Sequence, residues 1–271
     1  MDKHIGIIGT GSMGSMLIRS FIRGGAATPK NLYAANRTPE ALKRIAAETG
    51  IPFVENNRAL VRCADTIILC VRQPDVVPVI DEIKDLLTDE KMLISVASDV
   101  TLNELEALTP ARVARVIPSL PAEHLKGVSL VVFSERTTLT DREEIIFLFG
   151  AIGTPVVISE RDVEAYTTIT SCAPAFFAAM VHEFAQSATR MTGIPAAEAE
   201  RLARETFIGT AALLDTPGTA CADIISRVAT PGGITEEGVH VLTCHFPVVC
   251  DEIFAATKRK HASFRAPSLE E

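Results

Sequence analysis

His4-Ile-Gly-Ile-Ile-Gly9-Thr-Gly11-Ser-Met-Gly14 joins two different hydrophobic periods across a glycine turn. Residues 4–9 are an apolar run with the length of a buried strand, and Ser12–Arg23 bring Met13, Leu17 and Phe21 onto one helical face. The stretch therefore reads as strand, turn, helix. In that setting its glycines fit the GxGxxG spacing. Gly9 permits the tight turn, Gly11 lets the backbone approach a pyrophosphate, and Gly14 lets helix and strand pack closely, while the helix start offers unpaired N–H groups to the anion. Gly9, Thr10, Gly11, Ser12, Met13 and Gly14 are thus candidate dinucleotide-binding residues.

Working outward, residues 31–35 predict a second strand and 39–49 a helix with Leu42 and Ile45 inward and Gly50 as its stop. The near-continuous apolar run 66–71 predicts a strand covered on both faces of a parallel sheet. A helix over 76–87, a strand over 92–96, the segment 113–117 and strands over 129–133 and 154–159 continue the alternation. The βαβα order specifies an α/β fold, a Rossmann-type doubly wound parallel sheet. From residue 162 helix formers dominate. Residues 164–192 predict a helix kinked at Pro174 and ended by Gly193. Pro195 opens another helix from its first turn, reaching about Leu214. Pro217 and Gly218 mark a turn, 220–228 a short helix, and 230–233 a turn into a last helical region beginning near Glu236. The expected organisation is a nucleotide domain over 1–160 and an all-helical domain over 161–271, with only 264–271 frayed.

The 271 residues are 47% hydrophobic, enough to bury a sizeable core in one or two domains of roughly 100 to 200 residues each. A net charge of −8 with interspersed signs disfavours the phosphate-neutralising face of a nucleic-acid binder, so no nucleic-acid partner is expected. Met1 leads straight into the apolar stretch without the parts of an export signal, and the chain reads as unexported. No apolar run approaches the roughly 18 residues of a membrane helix, the longest candidate lying at 174–181, so no membrane partner is expected either. Cys63, Cys70, Cys172, Cys221, Cys244 and Cys250 are scattered without a CxxC pair, which fits reduced thiols and a cytoplasmic location. His240, Cys244, His245 and Cys250 carry metal-ligand chemistry, and His240 and Cys244 would share a helical face. Pro247 is expected to break that helix and short paired spacings are lacking, so no metal is expected.

The end of the second strand separates the two nicotinamide cofactors, because NAD sites place an acid there for the ribose 2′-hydroxyl. Here it reads Asn36-Arg37-Thr38. No acid is present, and Arg37 can pair with a 2′-phosphate, with hydroxyl and amide donors from Thr38 and Asn36. NADP(H) is the expected cofactor, with NAD(H) open as a second. Another glycine turn, Thr230-Pro-Gly-Gly-Ile-Thr235, feeds the last helix. Amides of Gly233, Ile234 and Thr235 would point into a nest that suits a small carboxylate, beside the Thr235 hydroxyl. An ordinary helix start has the same pattern, so the turn alone does not define a site.

GTGSMG, Asn36-Arg37-Thr38, Cys70-Val71-Arg72-Gln-Pro-Asp-Val76, Arg115-Val-Ile-Pro118, Ala173-Pro-Ala-Phe176 and the 230–235 turn occur in the order and spacing of pyrroline-5-carboxylate reductases. This resemblance spans residues 4 to about 260. It implies that 1–160 is an NADP-binding Rossmann domain. It also implies that 161–271 is a helical dimerisation and substrate domain, interlocking with its twin into a homodimer, with larger homo-oligomers open. The implied substrate is a small cyclic imine carboxylate, 1-pyrroline-5-carboxylate, reduced to proline by NAD(P)H. By position the resemblance places Val71 and Arg72 at the cofactor and Thr230, Gly233, Ile234 and Thr235 at the substrate carboxylate. Thr235 is the candidate catalytic residue, hydrogen bonding the ring nitrogen or relaying its proton while hydride passes to the imine carbon.

Several segments depart from the family pattern. Thr170-Ser-Cys-Ala-Pro-Ala-Phe176 stands where typical reductases carry Ser-Gly-Ser-Gly-Pro-Ala-Tyr, and Ser95-Val-Ala-Ser-Asp99 replaces an Ala-Ala-Gly stretch. Arg115-Val-Ile-Pro-Ser-Leu-Pro121 replaces the usual Pro-Asn-Thr-Pro, and Arg72 stands for lysine. With Gly-Gly-Ile-Thr-Glu-Glu-Gly238, these features resemble the divergent late-competence, ComER-like branch. That branch implies an alternative: an NADP-binding paralogue with a regulatory or accessory role, or one acting on another imine. A β-hydroxyacid dehydrogenase shares the GSMG turn but needs a lysine on the helix after the nucleotide domain, and 164–189 contain none. Cys172 reads as a small packed residue, His182 as a helix-face residue, and Glu236 and Glu237 as complements to a helix N-terminus.

Overall fold

The apolar run near the N-terminus forms β1 (Ile5–Ile8), and all four of its residues are buried because both faces of the sheet are covered. The computed structural model describes residues 3–98 and 100–265, with side chains to residue 263. Six more strands accompany β1: β2 (Leu32–Ala35), β3 (Thr66–Leu69), β4 (Met92–Ser95), β5 (Arg112–Ile117), β6 (Gly127–Phe133) and β7 (Gly153–Val157). Their spatial order is β2-β1-β3-β4-β5-β6-β7. The first five run parallel, β6 turns antiparallel to β5, and β7 runs parallel to β6. This is the doubly wound α/β sheet expected.

Helices α1 (Ser12–Arg23), α2 (Pro39–Thr49), α3 (Asn57–Cys63), α4 (Gln73–Ile83), α5 (Leu102–Leu108) and α6 (Leu139–Gly150) connect these strands. Successive strand side chains point to opposite faces, so β1 sends Ile5 and Ile7 into one core and Ile8 into the other. The first core includes Leu17 and Phe21 of α1 and Phe149 of α6, with the two phenyl rings edge to face at 5.4 Å. The second is closed by Leu60, Val76, Ile80 and Leu105. α2 has Leu42 and Ile45 inward and stops at Gly50 in the left-handed region, φ 74°. The helix expected over 76–87 instead starts at Gln73, where Pro74 suits the first turn, and gives way after Ile83 to a 3-10 turn, Lys84–Leu86.

The chain divides after Cys172 into two compact units. In the first, α7 (Val163–Thr167) runs into a π turn, Thr168–Cys172. The irregularity expected at Pro174 is therefore taken up by the turn before it. Proline has no N–H for the carbonyl four residues back, so a wider turn replaces the regular ladder there.

The second unit contains α8 (Ala173–Thr192), α9 (Ala196–Leu214), α10 (Cys221–Val228) and α11 (Ile234–Arg265). Gly193, at φ 77°, closes α8 by donating to Thr189 O, and α8 and α9 form a hairpin in which Phe177 and Phe207 lie 6.3 Å apart. Pro195 is the N-cap of α9 and not a residue of its first turn. Two expectations for α11 need correction. It begins at Ile234 and passes through Pro247 unbroken, because a helix of 32 residues keeps its hydrogen-bond ladder on both sides of one missing N–H. It also revises the membrane reading, since Ile234–Ser263 is long and apolar enough to cross a membrane by length and composition. Its apolar residues are interspersed with polar ones, which is why no continuous run marks it. The remainder of the tail expected to fray, 266–271, lies outside the described residues.

Among the described residues of this unit, those buried are Ala173, Ala185 and Ala199, while Phe184 is 74% and Met191 81% exposed. Large apolar side chains facing outward at this density mark an association surface, not a core.

Asp141 shows how the first unit's helices are fixed. Its carboxylate, 2% exposed, accepts from the Thr138 N–H at 2.9 Å and hydroxyl at 2.7 Å, and lies 2.9 Å from Arg112 Nε. Replacing it with alanine removes the carboxylate half of the capping box and leaves the half-buried Arg112 guanidinium without its counter-charge. Asp141→Ala is expected to cost about 3 kcal/mol in urea unfolding at unchanged m value. A loss below about 0.5 kcal/mol would mean that this carboxylate adds nothing net.

Candidate dinucleotide and substrate site

β1 hands the chain to α1 through the glycine turn. Gly9 sits at φ 98°, and a Cβ there would lie 2.5 Å from Cys70 O; a Cβ on Gly14 would lie 1.9 Å from Gly9 O. Both positions are closed to any larger residue. Nothing lies within 4 Å of where a Gly11 Cβ would be, so that backbone faces open space. Gly11 is the N-cap of α1 and has no side-chain cap, which leaves the first amides of the helix for an anion. Ser12 is exposed and Met13 half-buried beside them. Thr10 is buried: its N–H donates to Asn36 Oδ1 at 3.1 Å and its carbonyl accepts from Ser15 Oγ at 2.9 Å. Its own hydroxyl is buried with no partner among the described residues. Behind the turn, burial pushes the Cys70 thiol up to about 12, so it packs as a neutral group. Burial also raises the Cys172 thiol.

The ribose end is assembled from three segments. Asn36 spends its side chain internally, accepting from Thr10 and donating from Nδ2 to Thr38 O at 3.0 Å. It therefore ties the end of β2 to the glycine turn, a role different from the phosphate donor expected. Thr38 is exposed and is the N-cap of α2 without using its hydroxyl for the cap. Arg37 is 86% exposed, with Nη1 4.0 Å from Asp75 Oδ1. Arg72, the N-cap of α4, is 79% exposed and holds Asp75 Oδ2 at 3.1 Å through Nε and Nη2. Two guanidiniums thus share one carboxylate, leaving net positive charge where the ribose would lie. Asp75 was not among the expected site residues, although its place three after Arg72 at a helix start is the signal for that pair. Val71 is half-buried, with Cγ1 3.2 Å from the Cβ position of Gly9. These segments leave the carboxyl ends of β1, β2 and β3, at the point where the strand order reverses and doubly wound sheets bind their ligands.

In the second unit, Gly232 adopts φ 74° and Gly233 donates its N–H to Thr230 O at 2.9 Å. The Gly233 amide is spent inside the turn and is not aimed outward as expected. Ile234 and Thr235 open α11, where first-turn amides lack intrahelical partners. Glu236 reaches back so that its Oε2 accepts from the Gly232 N–H at 2.7 Å. The chain's own carboxylate thus occupies part of the anion-binding turn. On the same helix, His240 Nε2 lies 3.8 Å from Cys244 Sγ, but no group of three metal-ligating residues occurs among the described residues.

An open, uncapped glycine turn, an arginine in place of the ribose acid, and a separate helical unit define an NADP-linked oxidoreductase of the Rossmann type. A family model described as NADP oxidoreductase coenzyme F420-dependent matches residues 4–99, and one described as pyrroline-5-carboxylate reductase dimerisation matches 160–263. ComE operon protein 4 of Bacillus subtilis is 33% identical over 258 residues, covering 95% of this chain and 94% of that protein. A pyrroline-5-carboxylate reductase of Methanosarcina acetivorans is 31% identical over 243 residues, covering 89% and 90%. The chain belongs to the pyrroline-5-carboxylate reductase family. The same fold occurs in the reductase of Coxiella burnetii, with a TM-score of 0.91 at 22% identity over 98% of this chain and 100% of that one. The Plasmodium falciparum pyrroline carboxylate reductase, solved with NADP bound, gives 0.84 at 21% identity over 97% and 98%.

Arg37→Ala is expected to weaken NADPH binding roughly 30-fold, the equivalent of about 2 kcal/mol for one charge-assisted pair, and to change NADH binding less than about twofold. Nicotinamide fluorescence titration reads both. Equal losses for the two cofactors would remove Arg37 from the 2′-phosphate.

Proposed function

We propose that the chain reduces 1-pyrroline-5-carboxylate to proline with NADPH. The observation that carries this reading is the open turn over Gly11, with Arg37 and not an acid at its ribose end, in a chain that matches reductases of that name across both units. In this reading 1–160 bind the cofactor, and 161–271 dimerise and bind substrate. The match of residues 160–263 to a dimerisation model and the outward apolar residues of α8, α9 and α11 support a homodimer. Six free cysteines support a cytoplasmic location.

The bound nicotinamide supplies a hydride from C4. The chain's own residues supply position. The first amides of α1 hold the pyrophosphate, and the Gly11 backbone leaves it room. Arg37 and Arg72 exchange Asp75 for the 2′-phosphate, and the Thr38 hydroxyl joins them. Val71 packs under the turn. The amides of Ile234 and Thr235 take the imine carboxylate, Thr230 and Gly233 hold the turn that presents them, and the Thr235 hydroxyl holds or passes the proton at the ring nitrogen. Glu236 competes with the substrate carboxylate for the same turn.

A second reading rests on that competition and on the similarity to ComE operon protein 4. In it the chain binds NADP(H) but turns over a different imine or none, in a regulatory or accessory role.

Purified protein is expected to oxidise NADPH at 340 nm with 1-pyrroline-5-carboxylate and far more slowly with a six-membered imine carboxylate. Tight NADPH binding without turnover would move the assignment to the second reading. Given turnover, Thr235→Ala should lower kcat/KM by about tenfold or more, and a change within about twofold would take Thr235 out of the mechanism. Glu236→Ala should lower KM for the imine severalfold with kcat nearly constant, because it removes a competing carboxylate and no reacting group. An unchanged KM would show that Glu236 stands clear of the substrate.

A further inference from the structure

We propose that Arg115 and Glu160 are a positioning pair, fixing the backbone at Ser98 and at Leu102, after β4 and at the start of α5, as the wall against which the nicotinamide half of the cofactor lies. The proposal rests on the NADP-binding reading above. Arg115 is only 2% exposed, the largest fully buried side chain among those described. It lies on β5 in register with Ser95, the last residue of β4, and so at the carboxyl end of the parallel sheet.

The guanidinium reaches in two directions. Nη1 donates to Glu160 Oε1, and Nη2 donates to Ser98 O at 2.5 Å. The same Glu160 oxygen accepts from the Leu102 N–H at 2.8 Å. One ion pair therefore grips the backbone at two points, Ser98, three residues after β4 ends, and Leu102, the first residue of α5. The start of α5 is fixed again by the capping box of Thr101 and Glu104. Glu160 itself comes from the 3-10 turn after β7, Glu160–Asp162, so the pair ties that far strand to both points.

Stability alone is a poor account of this arrangement. Arg115 is taken out of water almost completely and Glu160 keeps 30% of its side chain exposed, so the arginine's charge is desolvated at a cost, and apolar residues of similar volume often serve a fold as well or better. The Arg115 Nε–H adds to the cost, being buried with no partner among the described residues. What the pair offers that apolar packing does not is direction, in the form of charged hydrogen bonds to two chosen backbone groups. The place matters as well. Arg37 marks the adenosine half beside β2, and the strand order reverses at β1 and β3, so a dinucleotide laid across the carboxyl ends extends its other half toward β3 and β4. The backbone that the pair holds at Ser98 leaves β4 on that side.

The test separates the two halves of the cofactor. Full-length Glu160→Gln keeps an oxygen for the Leu102 N–H and removes the charge; Arg115→Met keeps the volume and removes every donor. For each, the affinities for NADPH and for 2′,5′-ADP, which contains only the adenosine half, are measured with the thermal midpoint. The expected result is folded protein whose 2′,5′-ADP affinity stays within about twofold of wild type, while the ratio of 2′,5′-ADP to NADPH dissociation constants falls about tenfold. An unchanged ratio overturns the proposal whatever the midpoint does, as does a parallel loss of both ligands. Failure of both variants to fold also overturns it, because the pair would then serve the fold itself. Wild-type protein that binds neither ligand would instead sink the NADP reading beneath it.

Discussion

The clearance between Gly14 and Gly9 O governs the rest of the first unit. With no side chain at either residue, α1 starts hard against the end of β1, and its uncapped N-terminus lies at the carboxyl edge of the sheet. Once α1 is placed, Leu17 and Phe21 must fill the space over Ile5 and Ile7, and Phe149 of α6 completes that layer. The same closeness brings Cys70 and Val71 under the turn, and with them Arg72 and Asp75. One steric limit therefore sets both a core and the charged rim around it.

Much of this unit is legible in the sequence because its elements are long enough to show a period. The strands appear within a residue or two of their expected ends, and α1 and α2 bury the apolar faces their spacing predicts. The twelve-residue α6 is not among the expected helices, and α3 and α5 do not announce themselves. Each of the latter two has seven residues, fewer than two full turns, and each is set by a local cap, Asn56 accepting from Ala59 and Thr101 from Glu104. The reading of Pro247 as a helix breaker fails for the opposite reason. It weighs one residue's missing donor, while the rest of a 32-residue helix keeps its ladder.

The candidate site is legible in residue type and less so in orientation. Glycine spacing and the absence of an acid after β2 point to the dinucleotide without any coordinates. That Asn36 is an internal tie, that the Gly233 amide is consumed within its turn, and that Glu236 folds back onto Gly232 are facts of hydrogen bonding which spacing does not encode. All three concern where a donor or acceptor points. Motifs fix composition at a site more firmly than they fix direction, and recognition of an anion depends on direction.

The outward apolar residues of α8, α9 and α11 have a consequence for how the chain matures. A helical unit whose buried residues, among those described, are three alanines, and which leaves Phe177, Phe184, Phe207 and Phe254 exposed, has little to hold it together at great dilution. In the proposed homodimer its final ordering is second order in chain concentration, completed when a second copy arrives. Between synthesis and that encounter the sheet unit can be finished and the helical one waiting, so the speed at which such a protein becomes competent depends on how much of it the cell makes.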